Sequence, residues 1–306
     1  MKIRVLGSAA GGGFPQWNCN CRNCSGLRQG TLRARARTQS SIAVRGADPC
    51  ALVLVNASPD ILVQLREAPM LQPARAARDT ALRAVVLVDA QIDHTTGLFM
   101  LRESTRPLPV FCTDNAFLDL TRGNPVFGVL GHYCGIERHV LRTDGSSFTV
   151  AGIEDLEWRA LPVASRPPPF SPNRERPQPG DNVALEIRDR ASGRRVLYAP
   201  GLGAMEVPVL EALGRADCVL VDGTFWTDTE MIDRGLSAKR ARDMGHLAQS
   251  GPGGMLEHLA RLPRTTRRIL IHVNNTNPIL DEDSAERAAL QAAGIAVAHD
   301  GMEVEL

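Results

Sequence analysis

This sequence predicts an α/β fold, on three observations. Short runs rich in Val, Ile and Leu recur along all 306 residues, each bounded by turn residues. Stretches of helical pattern lie between them. No long linker halves the chain, so residues 1–306 read as one layered domain rather than two.

The elements follow in chain order. IRVL (3–6) is the first strand, and the Gly-rich SAAGGGFPQ (8–16) follows it. That loop looks like a phosphate loop but lacks the Lys-Ser/Thr of one, and no helical pattern comes after it. LVLVN (52–56) is the next strand, and SPDILVQLRE (58–67) opens a helix on a Ser-Pro start. AVVLV (84–88) and PVFC (109–112) are strands again. The Pro-rich SRPPPFSPNRERPQPG (165–180) can be neither helix nor central strand, which leaves a lid, a pocket wall or a stiff surface excursion. VLYA (196–199), CVLV (218–221), ILIHV (269–273), IAVA (295–298) and MEVEL (302–306) complete the strands, with a helix over SAERAALQAAG ending at Gly294. Several of these runs lack alternation, the mark of strands covered on both faces.

Composition narrows the function classes. Lys and Arg number 35 against 34 Asp and Glu, a net charge of +1, with 43% hydrophobic and 23% charged residues. Those values fit an ordinary soluble domain and exclude disorder, collagen and coiled coil. Near-neutrality gives no general attraction to nucleic acid or to an anionic membrane. The arginines at 28, 33, 35, 37 and 45 read as a solvated face. AVVLV falls far short of the ~20 apolar residues that cross a bilayer. MKIRVLGS turns polar too soon for a secretory leader, so the expected location is the cytoplasm.

Two groups of residues can do chemistry. CNCRNC places Cys19, Cys21 and Cys24 within six positions. In a reducing compartment such a group suggests a metal or redox chemistry, and zinc is the natural occupant of a thiolate site. A tetrahedral ion still needs a fourth ligand from elsewhere, and three free, merely adjacent thiols are the alternative. Cys50, Cys112, Cys134 and Cys218 are scattered and read as small buried apolar residues. The second group lies in VLVDAQIDHTTGLFMLRE (86–103), where a buried strand runs into Asp93-His94, then Thr-Thr-Gly, then an amphipathic helix. Strand C-termini face the crevice where α/β folds bind ligands. His246 in MGHLAQSG and His272 within the strand ILIHV join them. One histidine in a buried strand is usually core; three with an aspartate at strand ends point to a site.

DAQIDHTTG resembles the xHxHxDHxxG signature of the metallo-β-lactamase superfamily, with Asp89 and Gln91 in place of the first two histidines. Together with FPQWNCNCRNC, QSSIAV, NASPDI, YAPGLG, VDGTFW, GHLAQSGPGG and IHVNNTNPILDE, the chain resembles, end to end, the PQQ synthesis protein B family. That resemblance implies a metallo-β-lactamase-like αββα sandwich, two mixed β-sheets face to face with helices outside. It also implies a role in making pyrroloquinoline quinone (PQQ).

The departures from the superfamily carry the mechanism. The positions of the first metal site read Asp89, Gln91 and Ser165, and the bridging aspartate is replaced by Gly201. The ligands of the second site, Asp93, His94 and His272, survive. Two imidazoles and a carboxylate form the facial triad of non-haem Fe(II) chemistry, so the implied cofactors are structural Zn2+ at the cysteines and active-site Fe2+, which Zn2+ can replace. A dinuclear hydrolase is unsupported. Asp89 and Gln91 should face the cavity, either hydrogen-bonding the ligands or binding a substrate amine or carboxylate. His246 is a further ligand, a proton shuttle or an orienting group. In the phosphodiesterase relatives the fourth zinc ligand is a histidine where this chain has Asn275. The resemblance implies an iron-dependent oxygenase or hydroxylase acting on a tyrosine-derived PQQ precursor, with a non-catalytic carrier of PQQ or its precursor as the alternative. The partner is then a small molecule, and a homodimer is among the assemblies the resemblance allows.

Overall fold

In a computed structural model describing residues 1–306, fourteen strands form two seven-stranded sheets. The first sheet is built from β1 (Lys2–Gly7), β2 (Ser41–Arg45), β3 (Leu52–Val55), β4 (Leu82–Val86), β5 (Leu108–Cys112) and β6 (Ile136–Val140). The second takes β7 (Ser147–Val150), β8 (Ile153–Pro162), β9 (Val183–Asp189), β10 (Arg195–Ala199), β11 (Cys218–Asp222), β12 (Arg267–Ile271) and β13 (Ile295–Val297). β14 (Glu303–Glu305) returns to the first sheet beside β1, giving the orders β14-β1-β2-β3-β4-β5-β6 and β13-β12-β11-β10-β9-β8-β7. Each sheet is mixed. β3 to β6 and β10 to β13 pair in parallel, and the remaining pairs are antiparallel.

The inner faces of both sheets share one apolar core, in which Ile3, Val44 and Val86 meet Trp158, Leu185, Tyr198 and Ile271. The outer face of the second sheet is covered through Val209, Leu213, Met255, Leu259 and Leu290. Ile61, Leu98, Leu120 and Leu130 cover the first in the same way. Every residue of β3 and β11 is buried, because one face meets the other sheet and the opposite face meets helices. The layering is the αββα sandwich that the resemblance implies.

All nine strand-like runs are strands, and five more, β2, β6, β7, β8 and β9, carry no long apolar run. β8 buries Leu156, Trp158 and Ala160 while Glu157 and Arg159 stay half-buried, so charge interrupts its pattern. The amphipathic helix expected after Thr-Thr-Gly is instead a four-residue helix, Ile92–Thr95, followed by a 3-10 turn over Thr96–Leu101. The cause is local. Gly97 N donates to the Ala57 carbonyl at 2.9 Å, which ties this segment to the loop after β3. His272 is not inside a strand. It lies one residue beyond β12, in a left-handed backbone with φ 62°.

No helix is long and apolar enough to cross a membrane. At one end of the sandwich the residues following β4, β11 and β12 converge with the start of β9, where Val183 N reaches the Val88 carbonyl at 2.8 Å.

Candidate metal centre

Beyond β4 the chain turns at Asp89, which is buried and accepts from His94 Nδ1 with both oxygens, at 2.8 and 2.9 Å. An ionised carboxylate only accepts, so Nδ1 keeps its proton and Nε2 is the nitrogen left to bind a cation. That Nε2 is buried and has no hydrogen-bond partner. Burial opposes a charge on this ring, yet the Asp89 and Asp93 carboxylates override it and hold the imidazole up at about 9. A metal ion arriving at Nε2 therefore displaces a proton.

Asp93 Oδ2 lies 3.8 Å from His94 Nε2 and 3.3 Å from His272 Nε2. Against the desolvation of its half-buried site, Asp93 is held well below the usual carboxylate range by His94 and His272. Thr224 donates its single hydroxyl proton to the His272 carbonyl at 2.9 Å, so its oxygen accepts from His272 Nδ1 at 2.9 Å. Nε2 is thereby turned toward Asp93, and the same hydrogen bonds brace the left-handed backbone of His272. One ligand atom from each of Asp93, His94 and His272 falls within 4.8 Å of the others, and an orphaned buried imidazole nitrogen among them fits a metal ion.

His246 stacks beside His272, and its Nδ1 meets Asp222 at 2.7 Å. Asp222 is fully buried and also accepts from the Leu202 and Thr224 amides. Burial works against a charge on His246, but Asp222 raises its pKa above the ordinary value. Asp222, His246 and His272 are close enough to share an ion. The oxygens of Asp222 are already committed, however, so this is an orienting pair that leaves His246 Nε2 for the cavity. Sequence reasoning missed Asp222 and Thr224, although VDGTFW carries both at the end of a buried strand.

Asp89, Asp93, His94, Thr224, His246 and His272 line a cavity of about 280 Å³ that also includes Ser165, Gly201 and Gln91. Gln91 Nε2 donates to the Arg166 carbonyl at 2.9 Å and so pins the Pro-rich loop to the site. Inside that loop Asp181 accepts from Asn173 and Gln178, which makes it a built wall. A larger cleft of about 810 Å³ lies between residues 73–85 and 100–109, but no ligating set converges there.

The three thiols also converge. Asn275 Nδ2 sits 3.1, 3.7 and 3.3 Å from the sulfurs of Cys19, Cys21 and Cys24. The two ends of an amide are isosteric, and a half-turn presents its oxygen to the same point. Asn23 fixes this segment by donating to the Asn275 and Asn277 carbonyls. Burial pushes the Cys21 thiol up to about 11, while hydrogen bonds from the neighbouring cysteines and Asn275 outweigh burial at Cys19 and lower it. Three touching thiols lose their protons together only around a cation, so the donor set fits zinc. Of the other cysteines, Cys112 and Cys218 are buried and Cys134 is half-buried. Cys50 is exposed, contrary to expectation, because it lies in the turn between β2 and β3.

A beta-lactamase superfamily domain matches residues 52–273. The chain is 64% identical over 306 residues to coenzyme PQQ synthesis protein B of Azoarcus sp. strain BH72, covering all of both chains. This protein belongs to the coenzyme PQQ synthesis protein B family. The family member of Cupriavidus necator is 61% identical over 304 residues, covering 99% of each chain. Among solved structures, Zn(2+)-bound PqqB from Methylobacterium extorquens is 34% identical, with a TM-score of 0.87 over the full length of both chains. A diphosphatase of the PhnP family shares the fold at 17% identity and a TM-score of 0.69, covering 100% of this chain and 97% of its own.

Proposed function

We propose that this PQQ-synthesis protein is an iron-dependent oxygenase or hydroxylase acting on a tyrosine-derived PQQ precursor at Asp93, His94 and His272. One observation carries the reading. The two imidazoles and one carboxylate converge around an unpartnered His94 Nε2, while Ser165 and Gly201, which the resemblance puts at the ligand positions of a second metal, offer neither imidazole nor carboxylate. An Fe(II) ion held by these three residues would supply the one-electron chemistry that activates O2.

The chain's own residues do the rest. Asp89 and Thr224 fix the tautomers of the two ligand histidines. Asp222 holds His246 so that its Nε2 can take a proton from a phenolic hydroxyl in the cavity and return it later. The Pro-rich wall, tied down by Gln91, borders the space the substrate would enter.

Metal exchange tests the proposal. A two-imidazole, one-carboxylate site binds Zn(II) more tightly than Fe(II), and the Methylobacterium extorquens relative is a zinc-bound protein. Oxygen uptake is measured with a Glu-Tyr-derived substrate and ascorbate, the two-electron reductant that hydroxylation of a C–H bond by O2 requires. Uptake is expected only after anaerobic loading with Fe(II), with zinc as an inhibitor. PQQ binding indifferent to the metal, with no uptake on iron, would establish the carrier instead. Equal turnover on zinc and iron would mark a hydrolase, for which a Lewis acid suffices.

A further inference from the structure

Several arginines of this chain are held by a carboxylate. Arg22 is paired with Asp281, Arg159 with Glu186, Arg194 with Asp217 and Arg242 with Asp228. The two arginines that line the metal cavity have no carboxylate partner. Arg174 bonds only the Pro167 carbonyl of its own loop, and the Arg166 guanidinium bonds nothing, its residue being held through the backbone carbonyl by Gln91. The acids lining the cavity, Asp89 and Asp93, are committed to the histidines. A third donor lies alongside. Asn182 lines the same space and is 5% exposed, and its buried amide nitrogen has no hydrogen-bond partner.

A solvated arginine explains nothing by itself, but a buried amide N–H left empty beside two unpaired cations does point to a ligand. Orphaned donors of this kind cost free energy until an acceptor fills them. We infer that Arg166, Arg174 and Asn182 form an oxyanion-binding half of the cavity, opposite the metal-binding half, and that they hold a carboxylate of the aromatic substrate. The donor set alone requires an oxyanion; the choice of carboxylate rests on the PQQ-precursor reading. A neutral phenol would leave both guanidinium groups without a counter-charge in a half-dehydrated pocket. The substrate therefore presents its ring toward the metal ligands and a carboxylate toward the Pro-rich wall. Arg166 and Arg174 are specificity-determining residues that select against decarboxylated or esterified molecules.

The test uses the full-length, zinc-loaded protein, titrated calorimetrically with PQQ, PQQ trimethyl ester and phenyl phosphate. PQQ is expected to bind the parent at least about tenfold more tightly than its ester, with an affinity that falls as salt rises. R166Q and R174Q should each weaken PQQ by about tenfold, and N182D should weaken it further, while the ester is unaffected in all three. Metal content and circular dichroism report on folding, and the salt dependence of the parent stands even if a variant misfolds. Unchanged PQQ affinity in both arginine variants overturns the inference, as does a parent that binds ester and acid alike. Tighter binding of phenyl phosphate, lost in the arginine variants, overturns the carboxylate in favour of a phosphate. Zinc-loaded binding needs no oxygen chemistry. A missing oxygen uptake would thus sink the oxygenase and spare the carboxylate half, and unchanged arginine variants would do the reverse.

Discussion

Asp89 stands where the superfamily signature has a ligand histidine, and its carboxylate now grips the back of His94. The change moves charge from the metal to its partner. In the metal-free protein the pair keeps His94 protonated up to about 9, against an ordinary value of 6.5. A raised histidine pKa contributes stability that is fully present below 6.5 and lost as the pH climbs through about 9. Asp89→Asn removes the charge and leaves the shape. It should cost about 10–100-fold in active-site metal affinity and bring the His94 titration, followed by NMR in metal-free protein, down from about 9. An unmoved titration would mean that Asp93 alone holds the proton. Asp93 and His94 were legible in the sequence because they are neighbours in the chain. Asp222, Thr224 and Asn182 were not, since only closure of the sandwich brings Thr224 and Asn182 to the cavity and Asp222 behind His246.

Elements were legible where both faces are covered. β3 and β11 read as apolar runs because no position on them meets water, and β4 does so over its buried Ala84–Val86, whereas β8 and β9 interleave Glu157, Arg159, Glu186 and Arg188 with core residues and hide. The strand ILIHV was read too long for the same reason. Val273 is as buried as the strand before it, although the chain has already turned at His272. The segment that presents His94 depends on close backbone contact instead. Ala57 N donates to the His94 carbonyl at 2.7 Å, and a Cβ on Gly97 would sit 2.1 Å from the Ser58 carbonyl oxygen and 2.8 Å from that of Ala57. Gly97→Ala must push the turn off this loop, at a cost of about 2–4 kcal/mol. Thermal unfolding should start several degrees lower, with weakened active-site metal binding. A variant that melts with the parent would show that the loop after β3 yields freely.

At the scale of the whole molecule the two metal sites are joined through one segment. The chain leaving β12 delivers His272 to the active site and, three residues later, Asn275 to the cysteines. That segment is held from both sides. Ala10 N reaches the Val273 carbonyl at 3.0 Å, Val273 N reaches Ser8 at 2.9 Å, and Asn23 spans the carbonyls of Asn275 and Asn277. Zinc at Cys19, Cys21 and Cys24 would therefore stiffen the loop that aims His272, and an ion at His272 would in turn favour the arrangement that presents Asn275. The coupling is reciprocal in free energy, but the two sites should differ in what their loss does to the fold. His94→Ala removes one of three strong ligands, so it should abolish active-site metal while leaving one equivalent of zinc at the cysteines and a near-parental fold. Cys21→Ser should lose the cysteine-bound zinc, lower the melting temperature and also loosen the active-site metal, because structural zinc contributes folding free energy directly. Metal analysis and melting curves on both variants decide the matter. A Cys21→Ser protein that keeps its zinc and melts like the parent would remove the structural role, and one that loses zinc yet binds active-site metal as tightly as before would remove the coupling.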